Sequence, residues 1–141
     1  MKTKRPPTPP LAVTIKDPVY RARVKVYANL DFELFQHCVA SECRKAGLLV
    51  DNDYPSDTEG YFIHLAKHLN FVYLRSWGPS CADIATLAHE LAHHVFYTLS
   101  HVGIKVQAGK SDEAYTYLFD HYFETALMAL EKEVARARKR K

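Results

Sequence analysis

Residues 80–101 read SCADIATLAHELAHHVFYTLSH, and this stretch decides the fold of the C-terminal half of the chain. The dipeptide Gly78–Pro79 comes just before it and ends any preceding strand. Ser80 is a preferred helix-capping residue, and Asp83 falls in the first turn, where the helix dipole favours an acid. Gly103 follows as a helix-ending residue. The stretch therefore predicts one long helix.

The centre of this predicted helix carries the pentapeptide HELAH at residues 89–93. Side chains four residues apart lie one above the other on a helix, so His89 and His93 can reach one metal ion. Glu90 projects beside them, where it can accept a proton from a metal-bound water. The pattern is typical of a zinc site. The alternative is a structural helix rich in histidine, since His94 and His101 lie close by.

A catalytic zinc usually takes three protein ligands and leaves the fourth position for water. Ser111 is placed to cap a last helix that continues to about Ala135. If that helix returns antiparallel to the first, Glu113 in its first turn comes back to face the middle of the first helix. The sequence thus predicts a metal set of His89, His93 and Glu113, with Zn²⁺ as the ion.

These residues resemble the gluzincins, the thermolysin-like class of zinc metallopeptidases. In that class HExxH lies on one helix and a glutamate ligand lies on the next, often preceded by Asn or Asp. Here 19 residues separate His93 from Glu113, and Asp112 comes directly before the glutamate. The specific match covers residues 89–113, and the small size is similar to minimal zincins of cytosolic, phage or mobile-element proteins.

The resemblance implies a function and a set of roles. It implies a metalloendopeptidase in which Glu90 is the general base and later the proton donor to the leaving amine. His89, His93 and Glu113 would hold the zinc, and a protein or peptide substrate would lie along an edge strand, predicted here at residues 71–77.

The chain departs from the thermolysin-like pattern at two positions. Tyr117 stands where that class has an aspartate that orients a zinc-bound histidine, so Asp120, one turn further along, is the candidate for this role. No single residue is selected as the donor to the developing oxyanion. The candidates are His94, Tyr97, His101, Tyr115, Tyr117 and His121.

The rest of the chain predicts a small α+β domain over residues 11–135, with a three- or four-stranded sheet and three main helices packed on one side of it. Alternating apolar and basic residues predict a strand over 19–27, and helical spacing predicts a helix over 31–46. Two further strands are predicted over 61–65 and 71–77, and the polar stretch 51–60 predicts a loop. Four prolines predict an extended, disordered arm over residues 1–10.

Composition and charge exclude several classes of protein. Hydrophobic residues make up 48% of the 141 residues, and no apolar run is long enough to cross a membrane. The first five and last six residues hold eight of the 19 Lys and Arg and no acid, so the body of the chain has a net charge of −5. That distribution is not the footprint of a nucleic-acid-binding domain. The three cysteines fit no disulfide or CxxC pattern, which favours reduced thiols and a cytoplasmic location.

Three functions stay open at this stage. The first is a zinc-dependent peptidase that cleaves another protein in the cytoplasm. The second is a zincin-like zinc-binding interaction module without catalysis. The third is an accessory nucleic-acid binder that acts through its basic ends, above all the tail at 136–141.

Overall fold

The computed structural model describes residues 9–50 and 58–140. It confirms a small α+β domain with one four-stranded mixed sheet and three helices. The strands are β1 (Leu11–Lys16), β2 (Arg23–Ala28), β3 (Gly60–Ala66) and β4 (Leu69–Leu74). The helices are α1 (Phe32–Lys45), α2 (Cys81–His101) and α3 (Asp112–Lys139).

The sheet has the order β1-β2-β4-β3, so β4 is a central strand. It pairs parallel with β2 and antiparallel with β3. All six residues of β4 are buried, as expected for a strand covered on both faces. The predicted edge strand over 71–77 is therefore wrong: β3 is the edge beside α2, and Trp77 lies beyond the end of β4.

Both faces of the sheet are covered, which corrects the expectation that all three helices pack on one side. One core cluster joins inward residues such as Val26 and Val72 to Leu91 of α2 and Tyr122 of α3. The neighbouring residues Tyr27, Phe71 and Tyr73 point to the opposite face, where they pack against Phe35 and Val39 of α1. Successive side chains of a strand alternate between faces, so one sheet builds both cores.

The strand predicted over 19–27 is shorter in the structure, and it has an antiparallel partner, β1, where no strand was predicted. Val24 and Val26 of β2 are fully buried, whereas Arg23 is exposed, so the alternation itself is confirmed. β1 pairs antiparallel with β2 over its whole length. Between them the chain wraps around Asp17, which takes residues 17–22 out of the strand.

The helix boundaries follow local chemistry at two of the three helices. Asp31 accepts a hydrogen bond from the amide of Leu34 at the start of α1, and Ser80 accepts one from the amide of Asp83 at the start of α2. Ser111 precedes α3 but makes no capping hydrogen bond from its side chain. α3 also continues to Lys139, four residues beyond its predicted end.

Three expectations lie wholly or partly outside the described residues. The predicted disordered arm falls mostly within residues 1–8, and the predicted polar loop mostly within residues 51–57. Lys141, the last residue of the predicted basic tail, is not described either. Across the described residues, none of the helices combines the length and the apolar character that crossing a bilayer demands.

Candidate metal centre

The two histidines of HExxH lie together on the exposed side of α2. The Nε2 atoms of His89 and His93 are 3.2 Å apart, and their rings stand nearly perpendicular at 79°. Both side chains are open to solvent. The helix therefore presents two imidazole nitrogens at one accessible point.

The separation of these nitrogens fits a shared metal ion. A tetrahedral zinc bound at about 2.0–2.1 Å holds two ligand nitrogens about 3.3 Å apart. The observed 3.2 Å agrees with that spacing. The same distance also fits a hydrogen bond between two neutral imidazoles, so the pair is compatible with zinc without requiring it.

Glu90 occupies the buried side of the same turn. Its side chain is 7% exposed and leans over Gly60, the first residue of β3. Burial raises the pKa of the Glu90 carboxyl, and the neighbouring His89 partly opposes this shift. A raised pKa moves the carboxyl closer to neutral pH, which suits a general base.

β3 packs beside this side of α2. We call the surface where they meet the groove and define it by His89, His93 and Tyr97 of α2 and by Phe62 and His64 of β3. Phe62 stacks on His93 with ring centroids 6.2 Å apart and an interplanar angle of 9°. Tyr97, one turn beyond His93, packs against Phe62 at 5.5 Å and against His64 at 4.9 Å. The groove thus runs along the free edge of the sheet.

The structure does not bring Glu113 to the two histidines. Among the described residues, no three His, Cys, Asp or Glu side chains are grouped closely enough to hold one metal ion. Glu113 is exposed in the first turn of α3, and Tyr115 just after it contacts Phe96, three residues beyond His93. The start of α3 therefore lies beside the last turns of α2.

A later part of α3 passes HExxH. The ring of Tyr122 lies 4.4 Å from the ring of His94, the direct neighbour of His93. Tyr122 follows Glu113 by nine residues, which is about 13 Å along a helix. α3 returns antiparallel to α2, as predicted, but no local signal sets which residues of the two helices face each other.

Asp120 does not lie beside the histidine pair. It is exposed, and its neighbour His121 contacts the carbonyl oxygen of Lys16 at 3.2 Å. Lys16 ends β1, which forms the edge of the sheet opposite β3. The proposed orienting role of Asp120 therefore has no support from its position. The side chain that packs on the ring of His93 is Phe62, and not Asp120.

The candidate oxyanion donors separate by position. Tyr97 lies one turn from His93 on the same side of α2 and is 49% exposed. His101 lies further along that side, with its ring 6.5 Å from His64. Tyr115 packs on Phe96, His121 contacts the carbonyl oxygen of Lys16, and Tyr117 is largely exposed. Tyr97 is thus the candidate closest to the histidine pair along the groove.

His94 is enclosed in the core. It has no exposed surface, and neither ring nitrogen has a hydrogen-bond partner among the described residues. Burial lowers the pKa of His94 to about 3; Asp17 opposes the shift and His64 adds to it. The ring is therefore neutral at physiological pH and packs edge-on against Tyr122. This excludes it as an oxyanion donor in this conformation.

Gly60, Phe62 and His64 were not assigned to the site from the sequence. They alternate along β3, so all three face α2. Phe62 and His64 alternate within the strand predicted over 61–65, whereas Gly60 belonged to the predicted loop over 51–60, and nothing in the sequence indicated the facing helix. No protein family, no curated protein and no solved structure matches this chain.

Proposed function

We propose that this chain is a zinc-dependent peptidase that hydrolyses a peptide bond with an activated water. One observation carries the proposal: two exposed Nε2 atoms 3.2 Å apart, with the buried carboxyl of Glu90 in the same turn. Two ligands and a base of raised pKa are the parts that HExxH itself contributes to a zinc site.

The roles of the residues follow from their positions. His89 and His93 would hold the ion, which when bound would polarise the scissile carbonyl and lower the pKa of a water toward about 7. Glu90 would accept the proton of the attacking water and pass it to the leaving amine. Tyr97 would donate a hydrogen bond to the developing oxyanion.

The substrate would be an extended peptide added to the free edge of β3. Within the described residues β3 is the last strand of the sheet, so backbone amides and carbonyls on its outer edge have no neighbouring strand there. A peptide paired there would pass along the groove beside His93. β3 therefore replaces the predicted strand over 71–77 as the edge that would bind the substrate.

Glu113 remains the proposed third zinc ligand, although it lies away from the histidines in this conformation. It can reach the histidines only if the link at 102–111 and the first turn of α3 rearrange when the ion binds. The second candidate function is a zincin-like zinc-binding interaction module without catalysis. It too needs protein ligands beyond the two histidines, which the described residues do not bring together.

Metal content is the first test. The wild-type chain and its His93→Ala, Glu113→Ala and Asp112→Ala variants are purified without added metal and analysed by mass spectrometry. We expect about one zinc per chain in wild type and in the Asp112→Ala control, and a strong loss in the other two variants. Equal zinc in wild type and Glu113→Ala would remove Glu113 from the set. No zinc after reconstitution would remove the metal site.

Catalysis is tested on the zinc-loaded protein with a peptide library. Glu90→Gln should keep the zinc and lower cleavage by about 10²–10⁴-fold, the usual contribution of a general base. Cleavage by that variant at the wild-type rate would reject the mechanism. Stoichiometric zinc without cleavage in wild type would establish the interaction module instead.

A further inference from the structure

The face of the sheet that carries α1 stays open at β1, the strand farthest from the groove. α1 packs over β4 and β2, where the ring of Phe35 lies 4.9 Å from that of Tyr73 and 5.7 Å from that of Tyr27. β1 lies two strands away from β4, which is about 10 Å. In the part of the chain that the structure describes, α1 therefore leaves this side of β1 in solvent. Its exposed residues are Ala12, Thr14 and Lys16.

Cations gather on this open face. The register of β1 and β2 places Lys16 opposite Arg23 and Thr14 opposite Lys25. Residues directly opposite each other project from the same face, and Lys16 and Arg23 are both exposed. Like charges in such a pair repel each other and destabilise the sheet. We call these four residues the basic shelf.

The charges of the basic shelf are only partly balanced. Among the described residues, neither Lys16 nor Arg23 forms an ion pair, and Arg23 donates only to a backbone carbonyl of the β3–β4 turn, at 3.3 Å. Glu42 of α1 lies 3.6 Å from Lys25 and 3.0 Å from Lys45. The hydrogen bond from Lys45 and the charge of Lys25 lower the pKa of Glu42 against the opposing effect of desolvation, so it is ionised at neutral pH. One carboxylate thus faces four cations.

The exposure of these cations favours a ligand of high charge density. One solvent-exposed ion pair changes an affinity by about five-fold at most, so a single carboxylate gains little here. A phosphodiester chain carries a charge on every nucleotide and a layer of condensed counterions, and the release of those ions adds to the affinity. Lysine, arginine and threonine side chains are among the groups that contact phosphates. The basic shelf offers all three.

The shape of the open face favours a single strand. α1 stands beside Lys25, as its contact with Glu42 shows, and a helix with its side chains is about 10–12 Å thick. A duplex or a planar membrane that rests on α1 cannot reach Lys25 at its foot, whereas a single strand can pass along β1. Tyr27, the aromatic residue beside the shelf, is 5% exposed and lies under the Lys25 ammonium. It offers no surface for base stacking.

We propose that the basic shelf binds single-stranded nucleic acid through its phosphates. Lys16, Arg23 and Lys25 each contact a phosphate, and the hydroxyl of Thr14 donates to one of them. Binding is independent of base sequence, because no base is read. The net charge of −5 on the body of the chain opposes this only weakly, since exposed charges more than about 10 Å apart are largely screened at 0.1 M salt. The inference goes beyond the proposed peptidase function and needs neither zinc nor cleavage.

The test measures the fluorescence anisotropy of a labelled oligothymidylate of about eight nucleotides, a usual site size, with the full chain in chelator. Lys16→Gln/Arg23→Gln should weaken binding about ten-fold. It should also reduce the slope of log Kd against log salt by about 1.4, because each phosphate contact contributes about 0.7. Glu42→Gln should tighten binding about three-fold, because it frees the two lysines that this carboxylate neutralises. Lys132→Gln, at an exposed position of α3, is the matched control and should change neither quantity.

Opposite effects of the two charge changes distinguish a phosphate contact from general damage to the fold, and urea denaturation checks that each variant stays folded. Absence of binding by wild type at low salt would overturn the proposal. So would an unchanged affinity and slope in Lys16→Gln/Arg23→Gln, or weaker binding by Glu42→Gln. A duplex of equal length that binds as tightly would overturn the single-strand assignment. Equal displacement of the oligonucleotide by polyglutamate of the same charge, or by phosphatidylserine vesicles, would assign the shelf to an acidic polypeptide or to a membrane instead.

Discussion

Gly60 lies where any side chain would collide with α2. A Cβ atom at this position would be 2.5 Å from the Thr86 methyl and 2.9 Å from the Glu90 carboxylate oxygen. Both distances are shorter than real Cβ atoms show in proteins. The absence of a side chain at Gly60 is therefore what lets Glu90 lean against the edge strand.

Gly60→Ala should destabilise the protein, contrary to the usual effect of this substitution. Glycine to alanine at an unstrained position stabilises by about 0.4–1 kcal/mol. Overpacking against Thr86 and Glu90 costs about 1–3 kcal/mol, which is more than the gain from replacing glycine by alanine. Urea denaturation measures the difference. Gly78→Ala is the matched control, since its Cβ would meet only ordinary contact at 3.4 Å from Asp83.

A second substitution separates the two collisions. Thr86→Ser removes the methyl group but keeps the hydroxyl that donates to the carbonyl of Ala82. In the Gly60→Ala background it should restore part of the stability while Glu90 stays displaced. Cleavage by the zinc-loaded double variant should then remain low. Full recovery of cleavage would show that Gly60 does not position Glu90.

At the scale of elements, one hydrogen-bonded junction ties α3 to the β1–β2 connection. Asp17 is fully buried, and its carboxylate accepts hydrogen bonds from backbone amides including those of Val19 and Ala22. The hydroxyl of Tyr122 lies 2.8 Å from that carboxylate and 2.9 Å from the carbonyl oxygen of Ala22. The junction compensates the burial of a charged group, which is otherwise costly.

Tyr122→Phe should lower the free energy of unfolding by about 1–2 kcal/mol, because it removes one donor from a buried carboxylate. Tyr117→Phe is the control, since Tyr117 is 72% exposed. Chemical denaturation at neutral pH compares the two variants. Equal stabilities would mean that the amides of residues 19–22 satisfy Asp17 on their own.

The same hydroxyl makes stability fall at alkaline pH. Burial and the hydrogen bond to Asp17 raise the pKa of Tyr122 above the ordinary tyrosine value of about 10. Its contribution is present in full below about pH 10 and is lost as the pH rises further, because the unfolded chain releases the proton first. The stability of Tyr122→Phe should therefore decline less above pH 10 than that of wild type.

At the scale of the whole molecule, the C-terminal end of α3 extends beyond the hydrophobic core on which the rest of the helix packs. Leu130 is the last fully buried residue of α3, and Val134 is half-buried against the same core. Arg136, Arg138 and Lys139 follow in its last turn. These cations lie at the end of the helix remote from the groove.

Removal of residues 136–141 should leave the stability within about 0.5 kcal/mol of wild type, as for surface changes. The zinc content should also be unchanged. Retardation of a DNA duplex at low salt measures the remaining role of the tail. If the full chain binds the duplex and the truncated chain does so equally, the basic tail is not a nucleic-acid contact.

Features that depend on neighbours in the chain could be predicted from the sequence. The caps at Asp31 and Ser80 act within three residues, and the alternation in β2 and the spacing of His89 and His93 are equally local. These features predicted α1, α2, parts of three strands and the histidine pair. β1 was missed beside a proline-rich start, and the end of α3 was placed too early.

Long-range packing decided the rest, because no local signal specifies which surfaces meet. The sequence by itself determined an α+β chain with HExxH on a helix. Only the tertiary structure decided that β4 lies inside the sheet and that β3 forms the groove. It also decided that Tyr122, and not Glu113, comes level with the HExxH turn, because side-chain packing between α2 and α3 sets their relative position.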